Sequence, residues 1–290
     1  MNYTLFLGCQ IPARVQQYQE AAQAVLNRLD IRTTSLKEFM CCGYPMRNMN
    51  EFAFLLSAAR NLALAGQQPG DLMVLCKCCY GSLKMAQFHL TKSPELCHRI
   101  NQVLAEEGLE FKGTLVIKHF LSLLHGDIGL DRLKSVVTHP LTGLKIAASV
   151  GCHALRPAKI TGFDSPILPR IFDDLVQLTG AQSLDWSKKS ECCGAPLLGI
   201  NDALSKNVME KKLSNALEAG ADLIAVACPY SFMQFDGFQS RVAQADPDWK
   251  ILGPVLYPQL LGKAMGIDSR ALGFHRHTIP VALLASREMA

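Results

Sequence analysis

Along the chain, short unbroken apolar runs alternate with longer stretches in which apolar residues recur every three or four positions. The runs 4–8, 71–76, 144–150 and 222–228 are rich in Val, Ile, Leu and Ala, as expected of parallel strands buried on both faces. Between them, 13–29, 50–65, 166–179 and 202–219 carry apolar residues at helical spacing, which predicts amphipathic helices packed on a sheet. Asp202 stands where it can cap the last of these and Gly220 where it can end it. Strands alternating with helices predict parallel βαβ units. The stretch 94–137 reads as largely helical, and 252–266, LGPVLYPQLLGKAMG, as a late apolar helix bounded by prolines.

The pattern occurs twice. In each half an apolar run ends in Gly-Cys, at Gly8-Cys9 and at Gly151-Cys152. A CCG-x-P segment follows, Cys41-Cys42-Gly43-Tyr44-Pro45 in one half and Cys192-Cys193-Gly194-Ala195-Pro196 in the other. A second apolar run then ends in cysteine, Cys76 or Cys228. That cysteine lies 35 residues after the CCG pair begins in the first half (41 to 76) and 36 after it in the second (192 to 228). The earlier spacings are 32 (9 to 41) and 40 (152 to 192), so the length difference sits in one loop. Composition alone gives about 0.03 CCG triplets for such a chain; two make a duplicated unit. The expected fold is therefore α/β: two similar Rossmann-like βαβ halves, 1–140 and 141–290, with parallel sheets and additional C-terminal helices. In such sheets functional groups gather beyond the carboxyl ends of the strands. Cys9, Cys76, Cys152 and Cys228 are thus expected on one edge of each half.

With 290 residues, 49% apolar and 19% charged, the chain is long enough for two cores of ordinary size. A net charge of +4, with Lys and Arg scattered, is too mild to argue for nucleic acid. No uncharged apolar run reaches the length of about 18 residues that a membrane span needs. The start, MNYTLFLGC, lacks the basic region of an export signal. The reducing cytoplasm is the expected compartment, where structural disulfides are uncommon. The apolar surplus hints at a subunit that docks on partners.

In that compartment 11 cysteines point to metal or redox chemistry. Adjacent cysteines are poor partners for each other, since their Cα atoms lie about 3.8 Å apart, below the roughly 4.4–6.8 Å of ordinary disulfides. Cys41 and Cys42 are therefore expected to face one shared metal cluster, with Gly43 permitting the sharp turn and Pro45 stiffening its exit. The segment CKCC offers a C-x-x-C pair, Cys76 and Cys79, at a predicted helix start. Unpaired N–H groups and the helix dipole favour thiolates there; Cys78, between them, has no assigned part. Clusters of iron and sulfide need thiolates arriving from several directions. Structural zinc competes, but it usually takes four ligands, and the first half offers five or six cysteines. Packing alone is the remaining reading for the repeated cysteines. Cys97 reads as a core residue, His153 as a helix-start or core residue, and His275 and His277 as solvated. Arg156 reads as a surface arginine or as a cation beside the second site. No P-loop, G-x-G-x-x-G or Ser–His elbow is present.

These residues resemble the catalytic B subunit of heterodisulfide reductase and its relatives, a family marked by two CCG domains of the form C…CCG-x-P…C-x-x-C. The resemblance covers nearly the whole chain, including LTGLKIA at 141–147, GCHALRP at 151–157 and GPVLYPQLLGKAMG at 253–266. It implies that each five-cysteine set holds a noncubane [4Fe-4S] cluster built from two fused smaller units. It also implies that a disulfide lies between the clusters and is cleaved by one-electron steps from each. Electrons would come from a C subunit carrying cubane iron–sulfur clusters, itself fed by a flavin-bearing A subunit. On this chain Cys9, Cys41, Cys42, Cys76 and Cys79 match a full set. Cys152, Cys192, Cys193 and Cys228 match four members of the other, with Ser231 where the fifth would fall. A serine hydroxyl seldom replaces thiolate at soft iron, so the second site is expected to differ from the first, its [4Fe-4S] cluster noncubane or cubane. The clusters themselves would be the catalytic groups of an iron–sulfur oxidoreductase subunit that cleaves or forms a disulfide or acts on a related sulfur substrate. The alternative is a non-catalytic electron-transfer or scaffold subunit of such a complex.

Overall fold

The computed structural model describes residues 2–285. It contains two four-stranded sheets of identical order, parallel throughout. The first is formed by β1 (Asn2–Phe6), β2 (Arg32–Thr34), β3 (Asp71–Val74) and β4 (Ile117–His119), in the order β2-β1-β3-β4. The second is formed by β5 (Lys145–Ala148), β6 (Gln182–Ser183), β7 (Leu223–Val226) and β8 (Pro254–Leu256), in the order β6-β5-β7-β8. The α/β fold of two similar halves is as the apolar pattern implies. The four apolar runs are the central strands, and Leu5, Phe6, Met73, Ile146 and Ile224 are fully or almost fully buried in them.

The edge strands escaped that pattern. β2 and β6 read Arg-Thr-Thr and Gln-Ser, too short and polar to stand out. β4 and β8 lie inside 94–137 and 252–266, both expected to be helical; three residues each, they are too short to set a period of their own. Two helices also differ from expectation. The expected helix 13–29 is divided at Val15 into Gln10–Arg14 and Gln16–Arg28. Of 166–179 only Ile171–Leu178 is helical, because Pro166 and Pro169 disfavour helix at and before their own positions. The Asp164 carboxylate instead gathers the N–H groups of Arg170 and Ile171 into a compact turn. The helix Asp202–Glu218 is capped by Asn201, whose Oδ1 accepts from Leu204 N at 3.0 Å. Asp202, expected to cap it, accepts from Gly199 N one turn back. Its counterpart Glu51–Gly66 is capped in the same way by Asn50.

Each half packs its late helices on the other. After β8 the helix Tyr257–Ala264 stays against β7 and β8 of its own sheet and also packs on Gln16–Arg28 of the first half. The N–H groups of Thr138 and His139 donate to Ala264 O at 2.9 Å, and Arg276 pairs with Glu20 at 3.0 Å. Reciprocally, the helical segment 120–135 packs on Ile171–Leu178, with His125 Nε2 2.9 Å from an Asp174 carboxylate oxygen.

His275 is exposed, as expected, but His277 is not the solvated residue that its loop position implied. Its ring stacks on Phe274 at 5.5 Å and meets the edge of Phe232 at 4.9 Å. Its Nε2 donates to Gln259 Oε1 at 3.0 Å. Burial pulls its pKa down to about 4, from an ordinary 6.5. The unfolded chain therefore takes up this proton before the folded one does. The stability this residue contributes is fully present above about pH 6.5 and is lost as pH falls toward 4. In urea titrations across that window, His277→Gln should lose less stability than the wild type on acidification. Equal losses in the two proteins would overturn this account.

Candidate metal centre

The carboxyl ends of the two sheets face each other across the boundary between the halves, and the cysteines sit in the loops that leave them. Cys9 follows β1, and Cys76 precedes the helix Lys77–Lys92 after β3. Cys152 lies in the loop after β5, and Cys228 precedes the short helix Pro229–Met233 after β7. The CCG segments are sharp turns at Gly43 (φ +80°) and Gly194 (φ +88°). A Cβ on either glycine would lie 2.7 Å from a helix carbonyl, Phe54 O or Ser205 O. Any other residue would thus be strained and in collision.

The helix beneath each turn holds it. In the first half Asn61 Nδ2 donates to Cys41 O at 3.0 Å, its Oδ1 accepts from Met40 N at 2.9 Å, and Ser57 Oγ donates to Cys41 O at 2.6 Å. In the second, Lys212 Nζ donates to Lys188 O at 2.7 Å and to Glu191 O at 2.8 Å, and Ser205 Oγ donates to Gly194 O at 3.0 Å. Lys212 also lies over the Trp186 ring at 5.1 Å. Burial lowers its pKa to about 8.

All 11 cysteines are free thiols. Cys9, Cys41, Cys42, Cys79 and Cys76 follow one another as a continuous series of neighbouring, interacting thiols, so the first expected set is brought together complete. A second series links Cys152, Cys192, Cys193 and the hydroxyl of Ser231. Cys228 lines one cavity with Cys78, Cys152, Cys192, Cys193 and Ser231. Its thiol also meets those of Cys76 and Cys78, and these three sulfurs lie within 4.8 Å of one another. The two sets therefore touch. Cys97 is half-buried in the helix Pro94–Leu104 at the rim of the core, with Asn101 Nδ2 3.8 Å away.

One sulfur in each CCG pair is the favoured anion. Cys42 and Cys9 donate to Cys41, and the N–H groups of Gly43 and Tyr44 assist, holding its pKa down to about 2. Cys152 and Cys193 do the same for Cys192, helped by Gly194 N at 3.4 Å, also to about 2. Cys9 and Cys152 are pushed up in return. Burial opposes the anion at Cys76, yet donors at Cys228, Cys78 and Cys79 hold its pKa well below the ordinary range. A group of soft donors that runs from the buried Cys42, Cys76, Cys79 and Cys228 to the exposed Cys9, and that already stabilises thiolate, fits a thiolate-bound metal group.

His153, Lys77 and Lys212 take places here that the sequence did not foretell. His153 starts no helix; it lies in a loop between the two sets, its backbone resting on Gly81. Its Nδ1 is 3.2 Å from Cys78 Sγ and 3.6 Å from Cys152 Sγ, and its Nε2 is 3.2 Å from the Tyr44 hydroxyl. Burial lowers its pKa, keeping it neutral. Of the two readings of Arg156 the surface one holds, since it is exposed; the amines beside the second set are the buried Lys212 and Lys77, the latter with its pKa lowered to about 7 by burial. Lys77 Nζ donates across the boundary to Val150 O at 2.7 Å and Ser149 O at 3.2 Å. Neither lysine was read from the sequence, but a signal existed. Asn61 stands 20 residues after Cys41 (61 − 41) and Lys212 stands 20 after Cys192 (212 − 192), each a polar residue on an apolar helix face.

Residues 3–84 and 146–236 each match the CCG cysteine-rich domain. The chain is 37% identical to the B subunit of the ferredoxin:CoB-CoM heterodisulfide reductase of Methanosarcina mazei, over 95% of this chain and 93% of that protein. It is 30% identical to the 8-methylmenaquinol:fumarate reductase membrane anchor subunit of Wolinella succinogenes, over 98% of this chain and 99% of that one. The crystal structure of a hypothetical protein from Helicobacter pylori shares the fold, with a TM-score of 0.76 at 18% identity over 97% of this chain. The chain spans about half of that protein's length, 52%.

Lys212→Met keeps the stem of the side chain but takes the donor from Glu191 O, while Lys188 O and Lys189 O keep the N–H groups of Glu191 and Gly151. One orphaned carbonyl costs about 1–3 kcal/mol, so the metal-free protein should lose about that much. Urea denaturation measures this; a change within error of zero would mean that Lys212 does not hold the turn.

Proposed function

Since the chain belongs to the CCG-domain family of heterodisulfide reductase B subunits, we propose that it is an iron–sulfur oxidoreductase subunit that cleaves or forms a disulfide, or acts on a related sulfur substrate, between two clusters. The observation that carries this reading is the meeting of two thiol sets at one junction, where Cys78 Sγ and Cys228 Sγ are 3.9 Å apart. Reducing a disulfide to two thiols consumes two electrons and two protons. Two one-electron centres at one boundary suit that stoichiometry.

We assign Cys9, Cys41, Cys42, Cys76 and Cys79 to a noncubane [4Fe-4S] cluster and Cys152, Cys192, Cys193 and Cys228 to a second [4Fe-4S] cluster. When bound, these clusters supply the one-electron chemistry. The protein's own part is to gather the sulfurs at one boundary, to offset their charge with Lys77 and Lys212, and to hold a proton between Tyr44 Oη and His153 Nε2. A cubane-bearing C-type subunit, fed by a flavin-bearing A-type subunit, is the proposed electron source in the cytoplasm. Exposed apolar residues beside both CCG turns support a docking partner: Met49 (81% exposed) and Ile200 (83%), each six residues after its glycine (43 to 49, 194 to 200).

A second reading is a non-catalytic electron-transfer or scaffold subunit, favoured by Ser231 at the second set and by the similarity to a membrane anchor subunit. Among the described residues no helix is long and apolar enough to cross a membrane.

Anaerobically purified protein should contain iron and acid-labile sulfide and should reduce disulfides with an artificial one-electron donor. Stoichiometric zinc with negligible iron would sink the cluster reading. Iron without disulfide turnover, alone or with its partner subunits, would favour the second reading. Cys41→Ala should lose the first cluster's iron with little change in circular dichroism; unchanged iron would remove Cys41 from the ligand set. Tyr44→Phe should keep its iron and slow disulfide reduction several-fold, and an unchanged rate would take Tyr44 out of proton transfer.

A further inference from the structure

Beside its set of five the first half carries one further cysteine at the junction, apart from the remote Cys97, and the second half carries one fewer than five. Cys78 is the surplus thiol. It is 5% exposed and lies in the first turn of the helix Lys77–Lys92, between the assigned Cys76 and Cys79. An α-helix turns about 100° per residue, so Cys78 and Cys79 leave it in different directions. Cys79 hydrogen-bonds Cys42 and Cys76, within the first set. Cys78 faces the other half. It lines the cavity of Cys152, Cys192, Cys193, Cys228 and Ser231, and its Sγ is 3.9 Å from Cys228 Sγ. Two thiolates on one tetrahedral metal, each about 2.3 Å from it, lie roughly 3.8 Å apart. The observed separation therefore needs little adjustment for shared coordination.

We propose that Cys78 is the fifth thiolate of the second site, supplied by the first half in place of the thiol missing at Ser231. The proposal rests on the cluster reading above and deepens it. It gives each site five sulfurs: Cys9, Cys41, Cys42, Cys76 and Cys79 at one, and Cys78, Cys152, Cys192, Cys193 and Cys228 at the other. Every cysteine except Cys97 then has a part. Ser231 keeps a different one, its hydroxyl hydrogen-bonded to Cys193. An added thiolate also finds its charge offset locally, because Lys77, the residue before Cys78, points its ammonium at the loop that leads into Cys152. His153 Nδ1, 3.2 Å from Cys78 Sγ, is the hydrogen-bond partner of this sulfur in the metal-free protein. A second cluster ligated in this way spans both halves, so it bonds them together as well as carrying electrons.

The test uses the full-length protein, reconstituted anaerobically with iron and sulfide, in four forms: wild type, Cys78→Ala, Cys78→Ala/Ser231→Cys, and Cys97→Ala as a control. Iron and sulfide counts, with Mössbauer and electron paramagnetic resonance spectra, are the readouts; the first site's signal reports that the chain is folded. Cys78→Ala should keep the first-site signal and lose or convert that of the second. Adding Ser231→Cys should restore five thiols and return the second-site spectrum toward wild type. Cys97→Ala should match wild type. An unchanged second-site spectrum in Cys78→Ala overturns the proposal, as does a change that Ser231→Cys leaves uncorrected. Wild-type protein that takes up no iron at all defeats the cluster reading itself, a separate and recognisable failure.

Discussion

A parallel sheet sends every one of its chain segments out at the same edge, and this constraint governs the rest of the molecule. Cys9 and Cys76 leave one sheet edge, Cys152 and Cys228 leave the other, and the CCG turns fold back beside them. One edge alone would present its thiols to water. Two edges set face to face bury Cys76 and Cys228 and half-bury Cys152, leaving only Cys9 of the four exposed, and what keeps the edges opposed is the packing of each half's late helices on the other. Tyr257–Ala264 packs on the first half while 120–135 packs on the second. Neither half can swing away without exposing the face of a helix packed on it. The meeting of the two thiol sets thus depends on packing between these helices as much as on the cysteines.

Burying thiolates is costly unless donors surround them, and the two halves meet that demand differently. Both favour the anion at the first cysteine of the pair, Cys41 or Cys192, by aiming neighbouring thiols and backbone N–H groups at it. Behind that shared arrangement the support diverges. A neutral amide, Asn61, holds the first turn, and an ammonium, Lys212, occupies the matching helix position in the second. Lys77 adds another cation on the same side, although it belongs to the first half. A duplicated plan has therefore been given unequal fields.

Much of this was legible in the sequence because the informative features are local. The central strands are uninterrupted apolar runs, the CCG turns declare their own glycine and proline, and the duplication is visible in the spacing of the cysteines. The edge strands were not legible: Arg-Thr-Thr and Gln-Ser are strands only because β1 and β5 offer them backbone partners. The buried His277 and Lys77 share that difficulty. Both are polar residues whose burial is decided by segments distant in sequence, His277 by Gln259 and Phe232, Lys77 by the carbonyls of Ser149 and Val150. Local composition carries no trace of such contacts. Lys212 is the intermediate case, recoverable by aligning the halves and asking why a lysine stands on a core-facing stripe.

The first turn of Lys77–Lys92 concentrates these relations. Three consecutive residues leave one helix end in three directions. Lys77 reaches the loop before Cys152, Cys78 reaches His153 and Cys228, and Cys79 turns back to Cys42. Gly81, one turn on, lets the His153 backbone close against the helix, where any side chain would overlap the His153 carbonyl. A helix end of this kind has its own N–H groups free for nearby anions, so the boundary between the halves is lined by donors that neither half alone would place there. The duplication supplied two copies of a thiol-bearing edge; this one turn, which departs from the repeat at Lys77 and Cys78, makes them a single centre.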